Sequence, residues 1–154
     1  MRKEISVFLE NEKKTSELGY KLSKSLSSGL LFFLKGDLGT GKTHLVRSIF
    51  SSLGFDGKVK SPSYSLFEQY IIGGKTFNHF DLYRFQSQEE WLLAGVNDYI
   101  NDHDITIIEW PEKAEDILSN PDIEIEMTYD NVISRRAFVR AKSNKGEEIC
   151  KGLI

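Results

Sequence analysis

Gly36-Asp37-Leu38-Gly39-Thr40-Gly41-Lys42-Thr43 has the residue types and spacing to hold a chain of phosphates. It fits the pattern G-x-x-x-x-G-K-[ST] at every fixed position. Gly36 and Gly41 let the backbone turn tightly and approach a ligand with no Cβ in the way. The loop N–H groups, including those of Gly39, Thr40 and Gly41, and the N-terminus of the helix that follows converge on one place and favour an anion there. Lys42 supplies a point charge for the β- and γ-phosphates of a nucleotide, and Thr43 a hydroxyl for Mg2+. The bland alternative is a glycine turn that binds nothing. An apolar strand before the loop and a helix after it argue against that alternative.

Such a loop needs a carboxylate to complete a metal site or to position water. Glu109 follows the apolar run Ile105-Thr106-Ile107-Ile108 and can hold Mg2+ or orient an attacking water. Asp81 lies in His79-Phe80-Asp81-Leu82-Tyr83-Arg84 and can hold Mg2+-bound water or act as a base. Against those roles stand a solvated acid at a strand end for Glu109, and a cap or a salt bridge to Arg84 for Asp81.

The remaining candidates are weaker as bare residues. His79, beside aromatics, reads as a buried supporting group before it reads as a catalyst. His44 follows the loop threonine and either lies near a nucleotide or only packs. His103 reads as loop surface. Arg135 and Arg136 precede a strand, and one of them can clamp a phosphate or nucleobase, the alternative being surface charge. Trp110 packs under the site or faces a partner. Ser61-Pro62-Ser63-Tyr64 has the look of a switch-like loop, with Pro62 fixing the backbone among three hydroxyls. No Ser-His-Asp or Cys-His arrangement is readable, and no histidine pair has zinc spacing.

The elements that must carry these groups follow from periodicity. Leu30 to Leu34 reads as a buried strand, and Lys42 to Leu53 as a helix with Leu45, Val46, Ile49, Phe50 and Leu53 on one face. An earlier helix is expected from Thr15 to Ser27, capped by Thr15 or Ser16, with Leu18, Leu22 and Leu26 inward and Gly29 just past its end. Ser65–Ile72 and Lys75–Tyr83 form a hairpin about Gly73-Gly74. Ser87-Gln88-Glu89-Glu90 is a capping box opening a helix through Trp91, Leu92 and Leu93, ended by Gly95, with a short turn over Val96–Ile100. Pro111 starts a short helix to about Leu118. Ile123, Ile125 and Met127 alternate with polar residues as a half-buried strand, and Arg136–Ala141 pairs with it. The expected fold is α/β: a P-loop-type sheet with helices on both faces and mixed parallel and antiparallel strands. Both Gly36 and Glu109 follow strand ends, where such sheets place phosphate sites.

The 154 residues suggest one domain spanning 1–154. Apolar content of 40% and charged content of 28% suit a globular chain, and no apolar run nears the roughly 20 residues that cross a membrane. Met1-Arg2-Lys3-Glu4 does not open a secretion signal. The single cysteine, Cys150, excludes an internal disulfide and a cysteine-cluster metal site, and reads as an inert thiol near the C-terminus. A cytoplasmic setting is expected. The net charge of −3 argues against a broad nucleic-acid grip, since Lys58 and Lys60 form only a small basic patch.

Four segments together resemble the TsaE (YjeE) family of small bacterial P-loop ATPases. They are the glycine loop, Val59-Lys60-Ser61-Pro62-Ser63-Tyr64, His79-Phe80-Asp81-Leu82-Tyr83-Arg84 and Glu109-Trp110-Pro111-Glu112. The likeness runs from about Glu12 to Arg136, with Thr40 and Ser63 as mild departures. It implies ATP and Mg2+ as ligands, phosphate held by Lys42, the metal held by Thr43 and Glu109, and support from Asp81. It implies further nucleotide contacts near Glu12 and Thr15, and through Arg135. It also implies the partner proteins TsaD and TsaB in making threonylcarbamoyladenosine in tRNA, with tRNA reached only through that complex and no DNA or membrane partner.

Two other readings use the same loop. A small-molecule kinase would need an acceptor pocket and a lid bearing arginines, and no lid segment stands out. A nucleotide-gated binding protein would use the same site to control assembly, with hydrolysis incidental. A GTP switch would carry Asn-Lys-x-Asp, which is absent.

Overall fold

Leu30, Phe32 and Leu34 face one side of a strand, Leu31 and Phe33 the other, and all five are buried. A strand buried on both faces belongs in the middle of a sheet covered on both sides. The computed structural model describes residues 3–93 and 95–154 and bears this out. Met1 and Arg2, on which the expectation about a secretion signal partly falls, lie outside the described residues, as does Ala94.

In chain order the elements are β1 (Glu4–Leu9), α1 (Glu12–Ser23), β2 (Leu31–Lys35), α2 (Lys42–Ser52), β3 (Phe67–Ile72), β4 (Lys75–Asp81), α3 (Gln88–Leu93), β5 (Ile105–Glu109), β6 (Ile123–Tyr129), β7 (Arg135–Ala141) and α4 (Asn144–Lys151). Short 3-10 turns cover Val96–Tyr99 and Pro111–Ala114. The strands form one seven-stranded sheet in the order β1-β7-β6-β2-β5-β4-β3. β2 runs parallel to both β5 and β6, and β4 runs parallel to β5. The β3–β4 hairpin at one side, and the β6–β7 hairpin with β1 added outside β7 at the other, give antiparallel edges.

The two faces are covered unequally. One carries α1, α2 and α4, whose Leu18, Leu22, Leu45, Val46, Ile49, Phe50, Ile149 and Cys150 join a core with Phe32, Phe77 and Ile107. Phe50 anchors it, with ring centroids 5.0 Å from Phe77 and 4.9 Å from Tyr70. Each such fully buried side chain contributes about 1.5–3 kcal/mol. The other face packs Leu31, Phe33, Phe80, Leu82 and Ile108 beneath the 3-10 turns, through Val96 and Ala114. The helices α1 and α2 lie close because Gly19 has no side chain: a Cβ there would sit 2.5 Å from Ser48 Cβ.

Several boundaries differ from the expected ones, each for a local reason. Helix α1 starts at Glu12, since the Asn11 side chain accepts a hydrogen bond from Lys14 N at 3.1 Å; Thr15 and Ser16 lie inside the helix rather than capping it. It ends at Ser23, before Ser25, Ser27 and Ser28, which favour turns, so Gly29 (φ 72°) shapes the approach to β2 instead of ending α1. β3 begins at Phe67, because Leu66 N bonds Pro62 O at 2.7 Å and Leu66 takes a positive φ of 71°. β4 ends at Asp81, whose carboxylate accepts the Tyr83 N–H at 2.8 Å and turns the chain. In α3 the Glu90 carboxylate reaches back to Gln86 N at 3.4 Å, one residue before the expected box. The helix expected from Pro111 to Leu118 is a 3-10 turn that stops at Ala114. Neither β1 nor α4 is foreshadowed by the periodicity of the sequence, and Cys150, within α4, is a buried core residue.

Candidate nucleotide site

The loop between β2 and α2 is tied down from within and from β6. Thr40 is buried and donates its hydroxyl to Asp37 O at 2.9 Å, and the Tyr129 hydroxyl donates to Leu38 O at 2.7 Å. Gly36 (φ 143°) and Gly41 (φ 102°) occupy backbone conformations that favour glycine, and Gly36 lies against the Met127 carbonyl. Gly41 leads into α2 with no side-chain cap on the helix, so the first-turn N–H groups face the loop mouth. The Lys42 ammonium bends back over the loop, donating to Gly36 O and, at 3.1 Å, to Asp37 O, and it lies 4.7 Å from the centre of the Trp110 ring. Burial holds its pKa below the usual lysine value, an effect opposed by Glu109 and Asp81.

The acids arrive from the next two strands. On β4, Phe77, His79 and Asp81 alternate onto the α2 side of the sheet; on β5, Ile105, Ile107 and Glu109 do the same. Asp81 and Glu109 are register partners, as are Glu109 and Leu34 on β2. Glu109 is 2% exposed, and its carboxylate lies 2.6 Å from His79 Nε2. A carboxylate only accepts, so that ring nitrogen donates. The other ring nitrogen, Nδ1, is buried without a partner, and the whole polar reach of His79 therefore goes to Glu109. Burial raises the Asp81 carboxyl above its usual range; the Tyr83 N–H opposes this and Glu109 adds to it. No ion pair joins Asp81 to Arg84 among the described residues.

Two clefts meet at the loop. One, of about 400 Å³, brings Lys42, Thr43, Asp81 and Glu109 together with Ser61, Ser63, Arg84 and Trp110. The other, of about 390 Å³, brings Glu12, Thr15 and Arg135 together with Asn11, Val132 and Ile133. Gly39, Gly41 and His44 line both, and Thr40 lines the second. His44 also bonds Ser16 Oγ at 3.0 Å and so ties α2 to α1. Lys42, Thr43, Asp81, Glu109, Glu12, Thr15, Gly39, Thr40, Gly41, His44 and Arg135 thus each border one cleft or the other, while Gly36 and Arg136 border neither. Arg135 reaches Gly39 O at 3.3 Å and stacks on Tyr129, whereas Arg136 points to the other side of β7, toward Asp130 and Ser6. His103 is exposed and borders neither cleft.

Asn11, Val132 and Ile133 join the site without standing out in the sequence. Asn11 does carry a signal, an Asx residue just before an acidic first turn, which competes with the nearby hydroxyls of Thr15 and Ser16. Val132 and Ile133 carry none, being apolar residues in an exposed turn.

The donor set decides what metal the site suits. Among the described residues no group of three or more His, Cys, Asp and Glu side chains is poised around one point. A metal caged by protein alone is therefore not provided for. One hydroxyl and one buried carboxylate fit Mg2+, which takes one or two protein oxygens and shares the rest with water and phosphate.

A central parallel strand running into a glycine loop and helix, with acids at the ends of its neighbours, defines an α/β protein of the P-loop kind. The family model described as "Threonylcarbamoyl adenosine biosynthesis protein TsaE" matches residues 9–138. The chain belongs to the TsaE family of threonylcarbamoyladenosine biosynthesis. Among its relatives, the tRNA threonylcarbamoyladenosine biosynthesis protein TsaE of Haemophilus influenzae is 41% identical over 137 residues, covering 89% of this chain and 85% of that protein. The Rickettsia felis protein of the same name is 34% identical over 122 residues, covering 79% and 71%. The crystal structure of YdiB from Bacillus subtilis superposes with a TM-score of 0.85 at 23% identity, covering 99% of this chain and 95% of that one, which shows a shared fold.

Proposed function

We propose that this chain is the ATP-binding and ATP-hydrolysing component of the tRNA threonylcarbamoyladenosine machinery, working as one ATPase domain with TsaD and TsaB in the cytoplasm. The observation that carries the reading is the convergence of Lys42, Thr43, Asp81 and Glu109 on one cleft at the mouth of the glycine loop. A triphosphate on the loop gives the Lys42 ammonium better acceptors than the two carbonyls it now holds. The second cleft, with Glu12, Thr15 and Arg135, supports the nucleoside end.

The reaction is attack of water on the γ-phosphorus. The bond to the β–γ bridging oxygen breaks, its electron pair leaves on ADP, and the water gives up a proton. Glu109, fixed by His79, and Asp81 are the carboxylates available to orient that water. Thr43 and Glu109 would hold Mg2+, which when bound supplies charge neutralisation at the phosphates. The burial of Glu109 and His79 keeps solvent from loosening that arrangement. The acidic net charge supports a role exercised through protein partners, with tRNA reached only indirectly.

The test is ATP hydrolysis by the purified chain, alone and with TsaB and TsaD. Slow turnover that rises with the partners supports the reading. Tight ATP binding with no response to them removes the partner assignment. Transfer of phosphate to a small acceptor instead of water makes the protein a kinase.

A further inference from the structure

Arg84 lines the same cleft as the two acids, just past the end of β4. Its backbone is held firmly. Leu82 N donates to Glu109 O at 3.0 Å, Phe85 N donates to Leu82 O at 2.9 Å, and Leu82 itself is fully buried. The guanidinium, in contrast, has only light attachments. Nε donates to the neutral carbonyl of Ser63 at 3.1 Å, and the group lies 4.2 Å from the centre of the Tyr64 ring, which is 88% exposed.

None of the other described arginines lines this cleft, and Arg47 donates to Val59 O at 3.4 Å. Arg140 holds Glu4, Glu124 and Glu126, Arg136 holds Asp130, and Arg135 braces the outer side of the loop through Gly39 O. Arg84 has no carboxylate within ion-pair distance among the described residues, although Asp81 is only three positions away. That aspartate takes the Tyr83 N–H instead. A cation kept out of an ion pair beside two carboxylates is available to an anion. Without Arg84, Lys42 would be the one lysine or arginine of this cleft facing Asp81 and Glu109, and neutralising a polyphosphate would fall to Lys42 and Mg2+ when bound. A guanidinium is also well matched to a phosphoryl group, being planar, always charged, and equipped with five N–H donors for the phosphate oxygens.

We propose that Arg84 is a catalytic residue of this cleft, the cation that binds the transferred phosphoryl group and stabilises the charge developing on it. The inference rests on the ATPase reading above. Arg84 swaps Ser63 O and the Tyr64 ring for the γ-phosphate oxygens. As the water oxygen bonds to the γ-phosphorus and the bond to the bridging oxygen breaks, its N–H groups hold the oxygens on which charge accumulates. It gives up no proton; the proton lost by the water leaves through the carboxylate side of the cleft.

The experiment compares wild type with Arg84→Ala, Arg84→Lys and Tyr64→Ala. It measures ATP turnover and binding of ADP, with and without aluminium fluoride as a mimic of the transferred phosphoryl group. Arg84→Ala is expected to lower turnover about 10²–10³-fold while ADP affinity changes less than about threefold. The extra affinity conferred by aluminium fluoride is expected to fall in step. Added guanidinium ion restores part of the activity of Arg84→Ala, and Arg84→Lys recovers little. Tyr64→Ala, which only frees the guanidinium, keeps turnover. The proposal is overturned if Arg84→Ala retains turnover within about threefold of wild type, or if Tyr64→Ala loses as much and both variants melt earlier, which makes Arg84 a staple of the loop. A wild-type protein that binds ATP without hydrolysing it overturns the ATPase reading itself, and this role with it.

Discussion

Asp81 and Glu109 stand opposite each other at the ends of adjacent parallel strands, yet the buried histidine beside them, His79, bonds only to Glu109, at 2.6 Å. The two acids are therefore not equivalent. Glu109 is fixed in place, and Asp81 is held through the Tyr83 N–H at the start of a turn. Glu109→Gln keeps an oxygen that His79 can bond while removing the charge. Turnover is expected to fall about 10²-fold or more with nucleotide affinity nearly kept, as read by single-turnover hydrolysis and calorimetry. Equal loss of both would make Glu109 a structural residue.

Lys42 and Thr43 separate binding from metal dependence. Lys42→Ala removes the ammonium that bonds the loop carbonyls of Gly36 and Asp37, and productive ATP binding is expected to disappear. Thr43→Ala is expected to bind nucleotide in EDTA about as wild type does, but to lose the gain that Mg2+ confers. Calorimetry with and without Mg2+ reads both, and normal turnover in either variant would contradict the site.

Asp81 gives a pH dependence of stability. Burial raises its carboxyl in the folded chain above the ordinary aspartate value of 3.8, so the folded state binds the proton more tightly than the unfolded one. The cost of ionising it is absent below about 3.8, sets in as pH rises from there through the raised folded value, and is complete above that. In metal-free buffer Asp81→Asn is thus expected to melt higher than wild type near neutral pH, with the gap closing toward acid. Each kcal/mol relieved corresponds to about 2–4 °C in a chain of this size. A gap that widens toward acid would reverse the assigned direction.

Gly19 tests the contact that carries α1 to the loop. A methyl group there meets Ser48 Cβ at 2.5 Å, and both residues sit in helix interiors where the backbone cannot easily give. Gly19→Ala is expected to cost about 1–3 kcal/mol despite its better helix propensity. Because Glu12, Thr15 and Ser16 ride on the same helix, nucleotide affinity is expected to fall as well. Denaturant unfolding checks the first effect and nucleotide titration the second; an unchanged unfolding midpoint would show that α1 simply shifts outward.

What can be read from the residues follows from how local the signals are. The glycine loop, the β3–β4 hairpin and the strand leading into Glu109 announce themselves within about ten residues, by spacing, by Gly73-Gly74 and by an apolar run. The acids are legible because each ends such a strand. The edge strand β1 is not, since half of its residues face solvent and its partner, β7, lies more than a hundred residues away. Helix α4 has only Ile149 and Cys150 as buried side chains beyond Gly146, too few to show a helical period. The choice between Arg135 and Arg136 depends on register: alternate residues of β7 face opposite sides, and pairing with Tyr129 and Leu9 decides which side is which.

The position of β2 also bears on how the protein is made. Its hydrogen-bonded neighbours are β5 and β6, which begin 74 and 92 residues after Leu31. Wherever the glycine loop acquires its shape, Met127 and Tyr129 of β6 take part, so a nascent chain still lacking β6 presents the loop without its walls. On the ribosome, at about 5–20 residues per second, the phosphate pocket therefore closes seconds after its own sequence has emerged. Until β5 and β6 emerge the apolar strand β2 has neither of its partners, an interval in which a chaperone rather than a nucleotide is the natural binding partner.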